Sequence, residues 1–146
     1  MNLVDAVLLN SSRIGHGFSL FKHPKILEKF INQDIALEVT PISNQILNLY
    51  SDLRHHPASY LMSADIPLVI SNDYPGFWNA KGISYDLYYA FMSLAANDAG
   101  LETLKALVFN SIKYSTQSEE DKEKSYQQLT TEWWNYIDLV TFTDIL

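Results

Sequence analysis

Arg13-Ile14-Gly15-His16-Gly17-Phe18 and, about fifty residues later, Ile70-Ser71-Asn72-Asp73-Tyr74-Pro75 are the two stretches on which the fold is decided. Each is a short apolar run that stops abruptly at a residue able to bind a metal or move a proton. Parallel α/β folds carry their chemistry in this way, at the C-terminal ends of strands. Working outward, β-type runs cover residues 12–16, 35–40 and 67–71, each rich in Ile, Val and Leu and bounded by turn residues. Helical patterns lie between and before them, at 4–10, 23–31, 44–53 and 57–64. Successive strand starts are about 23 and 32 residues apart. That spacing suits right-handed crossovers, and hence a parallel α/β sheet.

Beyond Asp73 the pattern turns wholly helical, at 84–96, 101–111 and 119–140, with Ser84 and Ser118 as expected N-caps and Gly100 as a break. The one charge block, Glu119-Glu120-Asp121-Lys122-Glu123-Lys124, mixes both signs at helical spacing and reads as a solvated helix start. Trp133 and Trp134, with Tyr126, Ile137 and Val140, form an apolar helical stripe of the packing kind. No internal repeat or linker marks a domain boundary. Three parallel strands cannot close a barrel, so the sheet is expected to carry two open edges.

Composition narrows the function classes. The chain has 146 residues, 47% of them hydrophobic and 13% aromatic, which suits one globular unit. A formal charge of −7, with ten Lys and Arg spread along the chain, argues against a nucleic-acid backbone as partner. A neutral or cationic small molecule fits better. There are no cysteines, so any metal must be held by His, Asp or Glu. No window is long and apolar enough for a membrane span, and the first residues lack the pattern of a secretory signal.

Four places can carry chemistry. His16 sits between two glycines, which let the backbone turn sharply and open the imidazole to a ligand. Asp73 is either a loop carboxylate or a hard oxygen ligand for a divalent metal on the same face as His16. Ser43 and Asn44 follow the strand Leu37-Glu38-Val39-Thr40 and either orient a substrate or cap the next helix. His55-His56, before Pro57, and His23, before Pro24, share no metal-ligand spacing and read as structural.

Taken in order, Arg13-Ile14-Gly15-His16-Gly17-Phe18, Glu38-Val39-Thr40-Pro41-Ile42-Ser43-Asn44-Gln45, Ile70-Ser71-Asn72-Asp73, Ala80-Lys81-Gly82-Ile83-Ser84-Tyr85-Asp86 and Asn110-Ser111-Ile112-Lys113-Tyr114-Ser115-Thr116 resemble the adenosine deaminase-related growth factors, the secreted branch of the adenosine deaminase family. The resemblance implies an α/β fold made of the last three strands of a (β/α)8 barrel followed by a helical tail. Residues 1–83 would hold the last three βα units and 84–146 the C-terminal helices. It implies an enzyme in which a zinc-activated water attacks C6 of adenosine and yields inosine and ammonia. His16 would orient the attacking oxygen, Asp73 would contact both zinc and that oxygen, and Tyr74, Ser43 and Asn44 would meet the purine nucleoside. It further implies an extracellular, homodimeric full-length protein.

Two departures from the family pattern stand in this sequence. Tyr74 occupies the place of a second aspartate that contacts a purine ring nitrogen. The His-x-His pair of the first barrel strand and the His-Ala-Gly-Glu segment have no counterpart here. The 146-residue chain is therefore expected to hold zinc weakly and to be inactive alone. The competing readings are a non-catalytic growth-factor-like or binding module of the same fold, and a small independent α/β domain that oligomerises to cover its edges.

Overall fold

The computed structural model describes residues 2–143; Met1 and residues 144–146, the two ends of the expected 1–146 domain portion, lie outside them. Three parallel strands, β1 (Arg13–Gly15), β2 (Ala36–Val39) and β3 (Leu68–Ile70), lie in the order β1-β2-β3. Ile14 is in register with Leu37, and Leu37 with Leu68. The ladder runs past the strand ends: Ala36 N–H donates to Ser12 O, His16 N–H to Glu38 O and Ser71 N–H to Val39 O, at 2.8–3.0 Å. The wider runs expected at 12–16, 35–40 and 67–71 are these strands with their paired flanks.

α1 (Asn2–Leu8) precedes the sheet, α2 (Pro24–Asn32), α3 (Pro41–Ile46) and α4 (Ala58–Ser63) fill the crossovers, and α5 (Ser84–Ser93), α6 (Leu101–Lys113) and α7 (Glu119–Thr143) follow β3. The helix expected at 44–53 differs most. It starts earlier because Pro41, with its fixed φ and missing N–H, suits the first helical position. It stops at Ile46 because Asn48 takes a left-handed φ of 55° and returns its N–H to Gln45 O. Ser43 and Asn44 thus lie inside α3, and Thr40 is its N-cap residue. Ser84 is likewise the first helical residue of α5, with Ile83 at the cap.

The core sits on the sheet. Leu37, Val39, Leu68 and Ile70 are buried with Leu20, Phe30, Ala58, Leu61, Ala90, Leu94 and Leu107. Each large member contributes about 1.5–3 kcal/mol by leaving water. The outer strand β3 is not left bare: Asn110 of α6 donates from Nδ2 to Leu68 O at 2.9 Å, filling a strand carbonyl with a side chain. At the other edge, Arg13 bonds from Nη1 to Tyr114 O at 3.1 Å.

The chain divides into two compact units, Met1–Tyr114 and Ser115–Leu146. The second is built on α7. Ser118 caps it as expected, accepting from Asp121 N–H at 3.2 Å and donating to Asp121 Oδ2 at 2.7 Å. Its charge block forms the ion pairs Lys122–Glu119 at 2.9 Å and Lys124–Glu120 at 2.7 Å along the helix surface. No described helix is long and apolar enough to cross a membrane.

Candidate functional site

The C-terminal ends of the three strands converge on α3. After Gly15 the chain turns on two consecutive left-handed residues, His16 at φ 59° and Gly17 at φ 55°. A histidine in that region is uncommon, and such positions gather at sites where a side chain must be aimed. Asp73, in the turn after β3, repeats the device at φ 55°.

Both residues are tied to neighbouring side chains of α3. Ser43, fully buried, donates from Oγ to Asp73 Oδ2 at 2.7 Å. That is the length of a charge-assisted O–H···O bond, and it fixes one oxygen of the carboxylate. Asn44, also fully buried, brings Nδ2 to 2.9 Å from Thr40 Oγ1 and 3.5 Å from His16 Nδ1. Thr40 Oγ1 is itself 3.3 Å from His16 Nδ1. Four of the five residues expected from sequence, His16, Ser43, Asn44 and Asp73, therefore form one polar cluster. The fifth, Tyr74, stands apart at 63% exposure, its ring edge-on to Phe77 with centroids 5.9 Å apart. With Ile46, Leu47 and Trp78 these rings line an apolar pocket of about 470 Å³.

Sequence reasoning missed three members of this region. His56, read as structural, is only 3% exposed and brings Nε2 to 2.9 Å from Asn44 Oδ1. Burial, and then the neighbouring His16, hold its pKa down to about 4. Thr40 reads in the sequence only as the end of a strand. Asp86 of α5, fully buried, accepts from Ile42 N–H at 3.1 Å and so caps α3 from outside; burial raises its carboxyl pKa against that hydrogen bond. No local signal announces these roles, since each partner is distant in sequence.

Aromatic rings pack round the two histidines. Phe18 stacks on His16 with centroids 5.4 Å apart, and Tyr50 lies 4.6 Å from the His56 ring. One side of the cluster is thus shielded from water, which strengthens its hydrogen bonds. Among the described residues no group of three or more His, Cys, Asp or Glu could hold a metal ion.

Comparison with known proteins places this arrangement. The family model described as adenosine deaminase matches residues 3–132. Adenosine deaminase 2 of Sus scrofa is 51% identical over 140 residues, covering 96% of this chain and 28% of that protein. The adenosine deaminase of Lutzomyia longipalpis is 48% identical over 138 residues, covering 94% and 27%. The chain thus spans little more than a quarter of the length of these relatives. A solved amidohydrolase from Burkholderia ambifaria, with bound zinc, superposes with a TM-score of 0.80 at 19% identity, over 96% of this chain and 38% of its own. The sheet and its helices are accordingly the α/β arrangement of three strands of a (β/α)8 barrel.

Proposed function

The chain belongs to the adenosine deaminase family, and on that premise we propose that it supplies reacting-site residues to a hydrolase that converts adenosine and water to inosine and ammonia. The observation that carries the proposal is the attachment of His16 and Asp73, each in a left-handed turn at a strand end, to the adjacent residues Asn44 and Ser43. Strand-end residues held this way by a buried helix are preorganised, which hydrolysis needs at the attacking oxygen.

In this reading a C6–O bond forms with the water's oxygen and the C6–N6 bond breaks; one of the water's protons ends on the amino group, which leaves as ammonia, and the other on N1 of inosine. His16 meets the incoming oxygen through its ring. Asp73, with Oδ2 taken by Ser43, keeps its other oxygen for the reacting centre. Zinc, when bound, supplies a water acidified to near neutral pH. This chain's donors do not complete a zinc site: catalytic zinc takes three protein ligands, and the described residues hold no such group. Asp73 would be one ligand of a site finished by other residues, so the 146-residue chain alone is expected to be inactive. The secreted branch that the sequence resembles would place the full-length protein in an extracellular setting.

Tyr74 favours a second reading, a binding module that keeps the fold without the reaction. A phenol here cannot offer the charge of an aspartate to a purine. Zinc content and adenosine-to-inosine turnover, measured on the longest transcript-supported form beside the 146-residue chain, separate the two. Turnover in the long form alone supports the deaminase; silence in both, without zinc, supports the binding module.

A further inference from the structure

Behind His16 lies a file of polar side chains that the deaminase reading leaves unexplained. At its far end is His56, buried in the turn before α4. Its Nδ1 lies 3.0 Å from Ala58 N–H. A backbone N–H can only donate, so Nδ1 carries a lone pair. With its pKa held down to about 4, the ring is neutral at pH 7 and its one proton sits on Nε2. That N–H faces Asn44 Oδ1 at 2.9 Å, which sets the amide with oxygen toward His56 and nitrogen toward Thr40 and His16. Asn44 Nδ2 donates one hydrogen to Thr40 Oγ1 at 2.9 Å and aims the other at His16 Nδ1, 3.5 Å away. The Thr40 hydroxyl, having accepted from Asn44, is free to turn its hydrogen to the same nitrogen at 3.3 Å. Asn44 Nδ2 can only donate toward His16 Nδ1, and the Thr40 hydroxyl can donate to the same nitrogen.

We propose that the file His56–Asn44–Thr40 fixes His16 in the tautomer with its proton on Nε2, so that His16 offers the site a hydrogen-bond donor and not a proton acceptor. Asn44 and His56 are then positioning residues: they act on the reaction only through His16. The consequence is specific. His16 holds the reacting oxygen by donating to it, and the proton removed from the attacking water goes elsewhere. The identity of that oxygen rests on the deaminase reading; the tautomer does not.

The test is the proton position itself. Long-range proton–nitrogen spectra of the ¹⁵N-labelled 146-residue chain near pH 7.5, with His16 assigned through His16→Gln, are expected to show Nδ1 unprotonated and Nε2 protonated. Asn44→Asp replaces the donor with a carboxylate acceptor and should shift His16 toward the Nδ1–H tautomer. His56→Gln keeps a donor against Asn44 and should preserve the native tautomer, whereas His56→Leu should yield a mixture. A proton on Nδ1 in the native chain would overturn the proposal, as would a folded Asn44→Asp with His16 unchanged. Should Asn44→Asp lose its amide dispersion, the native chain and the two His56 variants still decide. Absence of adenosine turnover in the long form would remove the deaminase reading and leave this one standing.

Discussion

Ser43 and Asp73 are thirty residues apart in the chain and 2.7 Å apart in space, hydroxyl to carboxylate. Because Ser43 is fully buried in α3, the bond fixes the Asp73 carboxylate relative to the strand ends, at a turn the backbone alone would hold poorly. Removing a hydrogen-bond partner of a metal-ligating carboxylate costs about 10- to 100-fold in metal affinity or activity. Ser43→Ala in the longest form should therefore weaken zinc by about that factor, read by competition with a chelating dye. Unchanged affinity would mean that Asp73 is not the ligand or is not held by Ser43.

Gly17 is the position where the turn after β1 admits no side chain. Its φ of 55° is left-handed, and a Cβ built there collides with Leu37 Cδ1, itself a fully buried core atom. Strain at such a φ costs about 1–3 kcal/mol and overpacking a similar amount. Gly17→Ala should lower unfolding free energy by about 2–4 kcal/mol in urea titration, whereas Gly76→Ala, with open space around it, should change it far less.

The fold was legible because strand and helix periods are local signals: the alternation of 12–16, 35–40 and 67–71 with helical patterns sufficed for three parallel strands. His16 and Asp73 were legible because each ends an apolar run. What stayed hidden was the support behind α3: His56 and Thr40 against Asn44, and Asp86 against Ile42 N–H. Nothing in His55-His56-Pro57 says which ring is buried, and only packing turns His56 toward Asn44. The extent of α3 was misread for a related reason. Its end depends on Asn48 entering the left-handed region, a conformation asparagine tolerates but does not impose.

His56 makes stability depend on pH. Its folded pKa, about 4, lies below the unfolded value of 6.5, so the unfolded chain binds more protons between the two. The contribution is full above pH 6.5 and is lost as pH falls toward 4, up to about 3 kcal/mol. His56→Gln lacks this titration, and its stability should fall less than that of the native chain between pH 7 and pH 4.5 in urea unfolding. Parallel curves would show that His56 is not held neutral. Asp86 titrates in both chains alike, so it cancels from the comparison.

Asp86 carries the opposite sign. Fully buried, it satisfies Ile42 N–H through Oδ1, while Oδ2 has no hydrogen-bond partner, and burial raises its pKa. A raised folded pKa means that stability is greatest below the unfolded value and declines as pH rises through the folded one. Asp86→Asn keeps an acceptor for Ile42 without the charge, so it should match or exceed the native chain at pH 8 and lose that advantage in acid. Asp86→Ala orphans the Ile42 N–H and should cost about 1–3 kcal/mol in acid, and less at pH 8, where it also removes the buried charge. Thermal melts across pH 4–8 read both; a less stable Asp86→Asn at pH 8 would show that the second oxygen has a partner.

Tyr74 decides between the two functional readings. Its ring is 63% exposed and leans on Phe77 at the rim of the pocket formed with Ile46, Leu47 and Trp78. Replacing an exposed ring costs the fold little, so its effect on function can be read directly. If the site deaminates adenosine, Tyr74→Asp in the longest form restores a charged partner for the purine. A hydrogen bond to a charged group contributes about 1.5–3 kcal/mol, which predicts at least a tenfold gain in kcat/KM. Tyr74→Phe, which removes only the hydroxyl, should lower kcat/KM if the phenol donates to substrate and leave it unchanged if the ring merely lines the pocket. No gain from Tyr74→Asp, with His16 and Asp73 intact, would indicate that the pocket has ceased to read a purine and would favour the binding module.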